Sequence, residues 1–396
     1  MEEMKLNWSF NEFIPTEIVF GVGRVSEIGQ LAQRFGSKAL LVTGPNQGAR
    51  AQLYEKVIES LQKAGIQAVH FDGVIPNPTT DSITKGADMA RVFGAQMVIG
   101  VGGGSAMDSA KAIAVESTHD GTAWDHLFYK DPPTDKTLPV ITIGTTAGTG
   151  SQTTSVAVLT NSERKDKSAI SNRNVFPRIA IVDPELTVSM PKHITAHTGF
   201  DAFCHNFEAL LSVRSTPMVE ALSLDAIRRV VKFLPRAIEN GHDMEARIQM
   251  AWVDTLGGIS NACAGTTLPH GLGMQIGGHC PHITHGQALA VVYPEFTRYT
   301  RPAAVDKFAA VARVMQQDCA ILDDEAASLR CCELIDRFMK RIDMWIGFED
   351  LGVTEEQAHE IAACGQVLGD YKRNPRVATL EEMDEMLMRS MHRERA

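Results

Sequence analysis

Four of the 13 histidines, His270, His279, His282 and His285, fall within 16 consecutive residues, a density that an even spread over 396 residues does not produce. Upstream, Asp201 and His205 stand at i and i+4, which puts a carboxylate and an imidazole on one face of a helix and within reach of one ion. One carboxylate with several imidazoles is a donor set suited to a divalent transition metal. Each piece alone has a plainer reading. An Asp–His pair at that spacing is most often a surface ion pair, and a histidine beside glycine a satisfied turn residue. The two segments together, in a chain without the CxxC pairs of a structural zinc site, favour a metal.

A second chemistry is carried by glycine. Val101-Gly102-Gly103-Gly104-Ser105 follows an apolar run and precedes Ala106–Val115 (AMDSAKAIAV), which has helical spacing and good helix formers. Glycines let the backbone approach a phosphate, and a helix N-terminus offers free N–H groups and a positive dipole end. A bound pyrophosphate is expected there. The run is neither GxGxxG nor a Walker loop, so by itself it does not name the nucleotide. Thr145-Thr146-Ala147-Gly148-Thr149-Gly150-Ser151 also ends an apolar run, and its hydroxyls and glycines suit ribose, phosphate or amide hydrogen bonding. Read alone, a polar turn explains it equally well.

These residues need elements to position them. From Ser37 to about Asp183, short β-branched runs alternate with helical patterns, the signature of βαβ units around a parallel sheet. Ala39–Thr43, Gln67–Phe71, Met97–Val101, Val140–Thr145 and Ile179–Val182 read as strands, and Glu55–Ala64 as a helix. Asp81 is expected to cap a helix running to Val92. Beyond Pro191 the pattern becomes long stretches of period 3.6, as in Met218–Leu234, Met244–Ile259, Pro302–Met315 and Ser328–Asp343, with the Asp201–His205 pair on a helix over Gly199–Ser212. The expected organisation is an α/β parallel-sheet domain over 1–188 and an all-α domain over 189–396.

A chain of 396 residues exceeds one ordinary core, in keeping with two domains. Hydrophobic residues at 44% and charged residues at 22% exclude disordered, collagen-like and coiled-coil classes. With 38 Lys+Arg against 48 Asp+Glu, a net charge of -10 and no long basic run, neither nucleic acid nor an anionic membrane is an expected partner. The seven scattered cysteines and the acidic start MEEMKLNWSF fit a reducing compartment without a signal peptide, and the cytoplasm is expected. No 18-residue apolar segment is present.

With those motifs assembled, the sequence resembles the iron-dependent, or group III, alcohol dehydrogenases. The likeness covers nearly the whole chain: FIPTEIVFGVG (13–23), Pro76-Asn77-Pro78-Thr79, GGGSAMDSAKAIA, TTAGTGSQTT, GFDAFCHNFEALLS (199–212), the segment 270–290 and Asn374-Pro375-Arg376. It implies an N-terminal dinucleotide-binding domain and a C-terminal helical domain with the active site in the cleft between them. It also implies a homodimer or higher homo-oligomer. By position, Gly102, Gly103, Gly104 and Ser105 match the pyrophosphate loop, with Asp108 and Lys111 in its continuation. Thr145, Thr146, Thr149 and Ser151 match the loop near ribose and nicotinamide, and Lys167 and Leu186 match a lysine and a leucine beside the cofactor. Asp201, His205, His270 and His285 match the metal ligands. His285 is chosen over its neighbours because the last ligand of the family sits in a His-Gly step, with His282 as fallback.

The resemblance implies reversible hydride transfer between NAD(P) and a metal-bound small alcohol or aldehyde, with Fe(II), or Zn(II) by ligand type, as Lewis acid. A glycerol-dehydrogenase-like or dehydroquinate-synthase-like enzyme on the same plan is the alternative. Three departures from the pattern stand out. The last two ligands are 15 rather than 14 apart, Met274 replaces a histidine common four residues after the third ligand, and Gln152 replaces a glutamate. With Met274 unable to carry a proton, His279 or His282 is expected to take the relay. In the segment Val42-Thr43-Gly44-Pro45-Asn46, Gly44 occupies the place of an aspartate that repels a 2′-phosphate, so the cofactor lean is to NADP(H), with Gly44 and Asn46 lining that end.

Overall fold

Runs such as KALLVT and MVIGVG are apolar at successive positions, so strands formed from them must be covered on both faces. In the computed structural model, which describes residues 8–161, 163 and 166–394, they are. The chain divides into two units, Phe13–Ser189, and Met190–Ala396 with Met1–Glu12. The first unit contains strands β1 (Glu17–Phe20), β2 (Lys38–Thr43), β3 (Gln67–Phe71), β4 (Met97–Gly102), β5 (Val140–Gly144), β6 (Val156–Asn161), β7 (Asp166–Ser171) and β8 (Ile179–Val182). Six form one sheet in the order β1-β8-β5-β4-β2-β3, every neighbouring pair parallel.

The period-two alternation of a strand decides which side chain meets which layer. Ala39 and Leu41 of β2 join Met97, Ile99 and Val101 of β4 in one cluster with Ile28 and Ala32 of α1 (Ile28–Ala32) and Tyr54, Val57 and Leu61 of α2 (Ala49–Lys63). Leu40, Val42 and Val98 point the other way, to Ile83 and Ala90 of α3 (Thr80–Phe93) and Ala110 and Ile113 of α4 (Gly104–Glu116). Each fully buried Leu, Ile or Val contributes roughly 1.5–3 kcal/mol. The chain passes from β2 to β3 on one side and then returns to β4 on the other side of β2. The carboxyl ends of β2 and β4 therefore flank a topological switch point, where open α/β sheets bind ligands. Gly44 follows one end and Gly103 the other.

Several local expectations are revised. Asp81 lies inside the first turn of α3, and Thr79 is the N-cap, without a side-chain cap bond. Helix α4 begins within the glycine run, at Gly104. The short strand β1 and the antiparallel hairpin β6–β7 carry too weak an alternation to be read from sequence, since DKSAIS is mostly polar.

Among the described residues the second unit contains helices and no strand. They are α5 (Lys192–Leu211), α6 (Pro217–Glu239), α7 (Met244–Ala264), α8 (Leu268–His279), α9 (His285–Thr300), α10 (Val305–Met315), α11 (Asp324–Arg341), α12 (Glu355–Ala363) and α13 (Leu380–Arg389). Pro302 sits in a short 3-10 turn before α10 rather than in the helix. Helix α5 begins well before Gly199 and is buried along most of its length, because Phe200, Phe203 and Phe207 pack on Tyr293 of α9. At Gly199 a Cβ would lie 2.2 Å from Leu234 Cδ1, so the glycine leaves room for the Leu234 side chain of α6 against α5. No helix among the described residues is long and apolar enough to cross a membrane.

Candidate functional site

Three helices bring the candidate ligands together. Asp201 and His205 lie one turn apart on α5, His270 in the first turn of α8, and His285 is the first residue of α9. Asp201 Oδ1 is their centre: His205 Nδ1 is 3.6 Å away, His270 Nε2 3.5 Å and His285 Nε2 3.8 Å. The rings of His205 and His270 are 4.6 Å apart between centroids and those of His270 and His285 5.1 Å. Ligand atoms of Asp201, His270 and His285 all lie within 4.8 Å of one another, a grouping able to hold a metal ion. Of the two histidines weighed for the last position, the structure brings in His285.

The cluster is built from local rules. Thr284 and Gln287 form a capping box that fixes the start of α9, and hence the backbone of His285. A Cβ on Gly286 would fall 2.2 Å from the His197 carbonyl oxygen, so glycine after His285 lets α9 abut α5. The His285 side chain is 26% exposed, against 4% for Asp201, 7% for His205 and 8% for His270. The cluster opens on the His285 side.

Its electrostatics favour a cation. Burial by itself would raise the Asp201 carboxyl, but the imidazoles of His205, His285 and His270 outweigh it and hold the group at about 2. Burial would lower His270, but Glu208 and Asp201 together raise it to about 10. Without a metal, then, a proton rests on His270 between two carboxylates, and a divalent ion would displace it. Asp201 Oδ1 and His270 Nε2 are buried and, beyond the 3.5 Å ion-pair contact with each other, have no hydrogen-bond partner. Buried polar atoms are rarely left so, and two of them facing each other fit an ion between them.

Glu208 was missed in the sequence. It is fully buried on α5, with Oε1 2.7 Å from His270 Nδ1 and Oε2 accepting from the Thr267 N–H at 2.9 Å. The available signal was its spacing, three residues after His205 and seven after Asp201, which continues one helical stripe inside an apolar run.

His279 and His282 are not brought to the cluster. His279 ends α8 with Nδ1 3.0 Å from the Gln275 carbonyl. Nine positions beyond His270, it lies about 13 Å along the helix and on the opposite face, outside general-base reach. His282 is exposed, with Nε2 3.1 Å from the Leu351 carbonyl. Met274, four residues after His270, shares its face and is buried, which suits packing.

In the first unit the two glycine-containing loops touch. Thr145 N–H donates to the Gly102 carbonyl at 2.9 Å. A Cβ on Gly103 would lie 3.2 Å from the Thr146 side chain, and one on Gly104 2.7 Å from Thr149 Cγ2. Gly103, the N-cap of α4, makes no side-chain cap bond, and Gly102–Ser105 are only half-buried. Asp108 and Ser151 are placed behind this surface. Ser151 Oγ donates to Asp108 Oδ1 at 2.6 Å, and Asp108 Oδ2 accepts from the Val158 N–H. The completely buried Lys111 donates to Ser151 O and Oγ, Thr154 Oγ1 and Val156 O, and burial pulls its pKa down to about 8. These three residues hold the Thr145–Ser151 loop to β6. Lys167 on β7 donates to Asn77 Oδ1 at 2.9 Å, Leu186 packs half-buried against the core layer containing α2, Gly44 is half-buried and Asn46 exposed.

Comparison with known proteins covers both units of the chain. The family model of iron-containing alcohol dehydrogenases matches residues 15–184, and that of the C-terminal domain of the Fe-containing alcohol dehydrogenase family matches 195–391. The NAD-dependent methanol dehydrogenase of Bacillus methanolicus is 32% identical over 96% of this chain and all of its own length. The 1,3-propanediol dehydrogenase of Klebsiella pneumoniae is 33% identical over 94% of this chain and 97% of its own. The crystal structure of an archaeal halo-thermophilic alcohol dehydrogenase from a Red Sea brine pool superposes with a TM-score of 0.93 at 33% identity, covering 98% of this chain and 100% of that one. Matching families over both units, with the same two-part fold, make this chain a member of the iron-containing alcohol dehydrogenases, an oxidoreductase acting on CH–OH groups.

Proposed function

We propose that the protein is a metal-dependent, NAD(P)-linked dehydrogenase of small alcohols that also reduces the corresponding aldehydes, with one divalent ion, iron(II) in the first instance, held by Asp201, His205, His270 and His285. The observation that carries this reading is the convergence of His205, His270 and His285 on Asp201 Oδ1, which with His270 Nε2 at 3.5 Å is buried and has no hydrogen-bond partner beyond that contact. Such an ion, when bound, supplies Lewis acidity that lowers the pKa of an alcohol, while the nicotinamide supplies the hydride acceptor. The chain's own part is to orient. Asp201 offers the anionic oxygen about which the imidazoles gather, and buried neighbours exclude water from all but the His285 side. The half-buried Gly102–Ser105 turn at the N-terminus of α4 suits a pyrophosphate.

The same reading gives NADP(H) a place beside NAD(H). A Cβ on Gly44 would have Arg50 Nη1 at 3.6 Å and nothing nearer, so a cation rather than a carboxylate stands beside the end of β2. The seven free cysteines support a reducing, cytoplasmic location. Purified protein loaded with ferrous iron or zinc, tested against short aldehydes, diols and hydroxy acids with NADH and NADPH, should oxidise the reduced nicotinamide, read by its absorbance. Absence of turnover on every aldehyde defeats the proposal, and a kcat/KM favouring NAD(H) by more than about tenfold, near 1.4 kcal/mol, defeats the NADP(H) part alone. Gly44→Asp should shift that ratio toward NAD(H), and the space around Gly44 allows the substitution without displacing a neighbour.

A further inference from the structure

Glu208 has an environment that only a carboxylate satisfies. It is fully buried. Its Oε1 lies 2.7 Å from His270 Nδ1, and its Oε2 accepts from Thr267 N–H at 2.9 Å and from Thr267 Oγ1 at 3.3 Å. Thr267 is the N-cap of α8, the helix that carries His270. A carboxylate accepts at both oxygens and donates at neither, so His270 must present Nδ1–H to it. A neutral imidazole has one N–H, and with that on Nδ1 the lone pair is left on Nε2, the atom that faces Asp201.

We propose that Glu208 is a positioning residue that fixes His270 in the Nδ1–H tautomer and in the ring orientation that aims Nε2 at the metal, while the same carboxylate ties the start of α8 to α5. The inference deepens the metal-dependent reading above and rests on it. Ligand histidines commonly depend on such a partner at the far nitrogen. What is particular here is that both oxygens are committed, one to the ligand and one to the helix that bears it. Glutamine fills the same volume but offers one acceptor and one donor. If its oxygen accepts from Thr267, its NH2 faces Nδ1 and drives the imidazole proton to Nε2, where it blocks coordination. If its oxygen accepts from Nδ1, its NH2 faces the Thr267 N–H, a buried donor-to-donor mismatch.

The test is a Zn(II) titration of the full chain in competition with a chromophoric chelator, run beside thermal melts of the metal-free proteins. Glu208→Gln should weaken Zn(II) binding about 10- to 100-fold. Thr267→Ala, which removes one donor to the same carboxylate but leaves His270 alone, should lower the melting temperature with Zn(II) affinity kept within about threefold. Affinity that merely tracks melting temperature across the two variants overturns the proposal, since it makes Glu208 a helix tie only. Should Glu208→Gln fail to fold, Glu208→Asp decides on the same titration, because it keeps both acceptors on a shorter stem. A loss of about tenfold supports the role and an unchanged affinity overturns it. His270→Ala separates the two levels of argument. Retained Zn(II) in that variant overturns the metal reading and the role of Glu208 with it. Loss of Zn(II) there with wild-type affinity in Glu208→Gln overturns the role of Glu208 alone.

Discussion

The two candidate sites of this chain are built from opposite materials. In the parallel-sheet unit the Gly102–Ser105 turn and the Thr145–Ser151 loop meet at their glycines, and the side chains of Asp108, Lys111 and Ser151 face one another behind them. In the helical unit the cluster consists of side chains delivered by α5, α8 and α9 to one oxygen of Asp201. A backbone site needs the absence of side chains and tolerates exchange of its neighbours. A site of converging side chains needs each residue and each helix start in place. The contrast teaches where substitutions should abolish function outright and where they should only grade it.

The largest expected effect is at the helical cluster. His270→Ala removes a proposed ligand and should abolish metal content, and with it several kcal/mol of catalytic stabilisation, roughly a thousandfold in turnover. Elemental analysis with full metal in that variant would break the contrast at its root. Removing the metal from the wild-type protein with a chelator should have the same effect on turnover, and returning ferrous iron should restore it.

Next comes the backbone loop. Gly103 has ordinary extended backbone angles, and a Cβ there would meet Thr146 at 3.2 Å. Gly103→Val should therefore fold and yet weaken dinucleotide binding by at least about tenfold, near 1.4 kcal/mol, with metal content untouched. An unchanged dissociation constant by calorimetry would move the nucleotide elsewhere.

A smaller effect is expected where local structure serves the metal side. Thr284→Ala removes the cap of α9 and should cost about 1 kcal/mol in urea unfolding. Metal affinity should fall too, because His285 is the residue being held. Loss of stability without loss of affinity would show that packing at Gly286 alone places His285.

The smallest is a pH effect. His197, with Nδ1 3.0 Å from Thr284 Oγ1, is pushed down to about 4 by burial and by the neighbouring His193, against a weaker opposing pull from Asp343. The folded protein thus prefers it neutral. Its contribution is complete above the ordinary value of 6.5 and is lost as pH falls toward 4, because the unfolded chain takes up the proton first. Melting temperature of the metal-free protein should drop over that window more in wild type than in His197→Gln. Parallel curves would remove His197 from the support of α9.

Much of this was legible without coordinates, and the limits are instructive. The central strands of the sheet declare themselves because burial on both faces demands unbroken apolar runs, so Ile179–Val182 is legible to the residue. The hairpin β6–β7 was not, since polar residues such as those of DKSAIS owe their strand state to pairing and to the Lys111 anchor at Val156. The histidine cluster was visible as a density, but density does not say direction. His279 and His282 are as close in sequence as His285, yet they turn to the Gln275 and Leu351 carbonyls.

By itself the sequence determined the period of each element, the glycine turns at strand ends and the one-face placement of Asp201 and His205, all of which follow from geometry local to a few residues. Only the tertiary structure decided that Asp201 faces three imidazoles, that Glu208 reaches across 62 positions to His270, and that Gly286 brings α9 against α5. Those contacts depend on how helices far apart in the chain pack. Periodicity sets which face of a helix is apolar, but the distance and rotation between two faces are fixed by the small residues and caps where they meet.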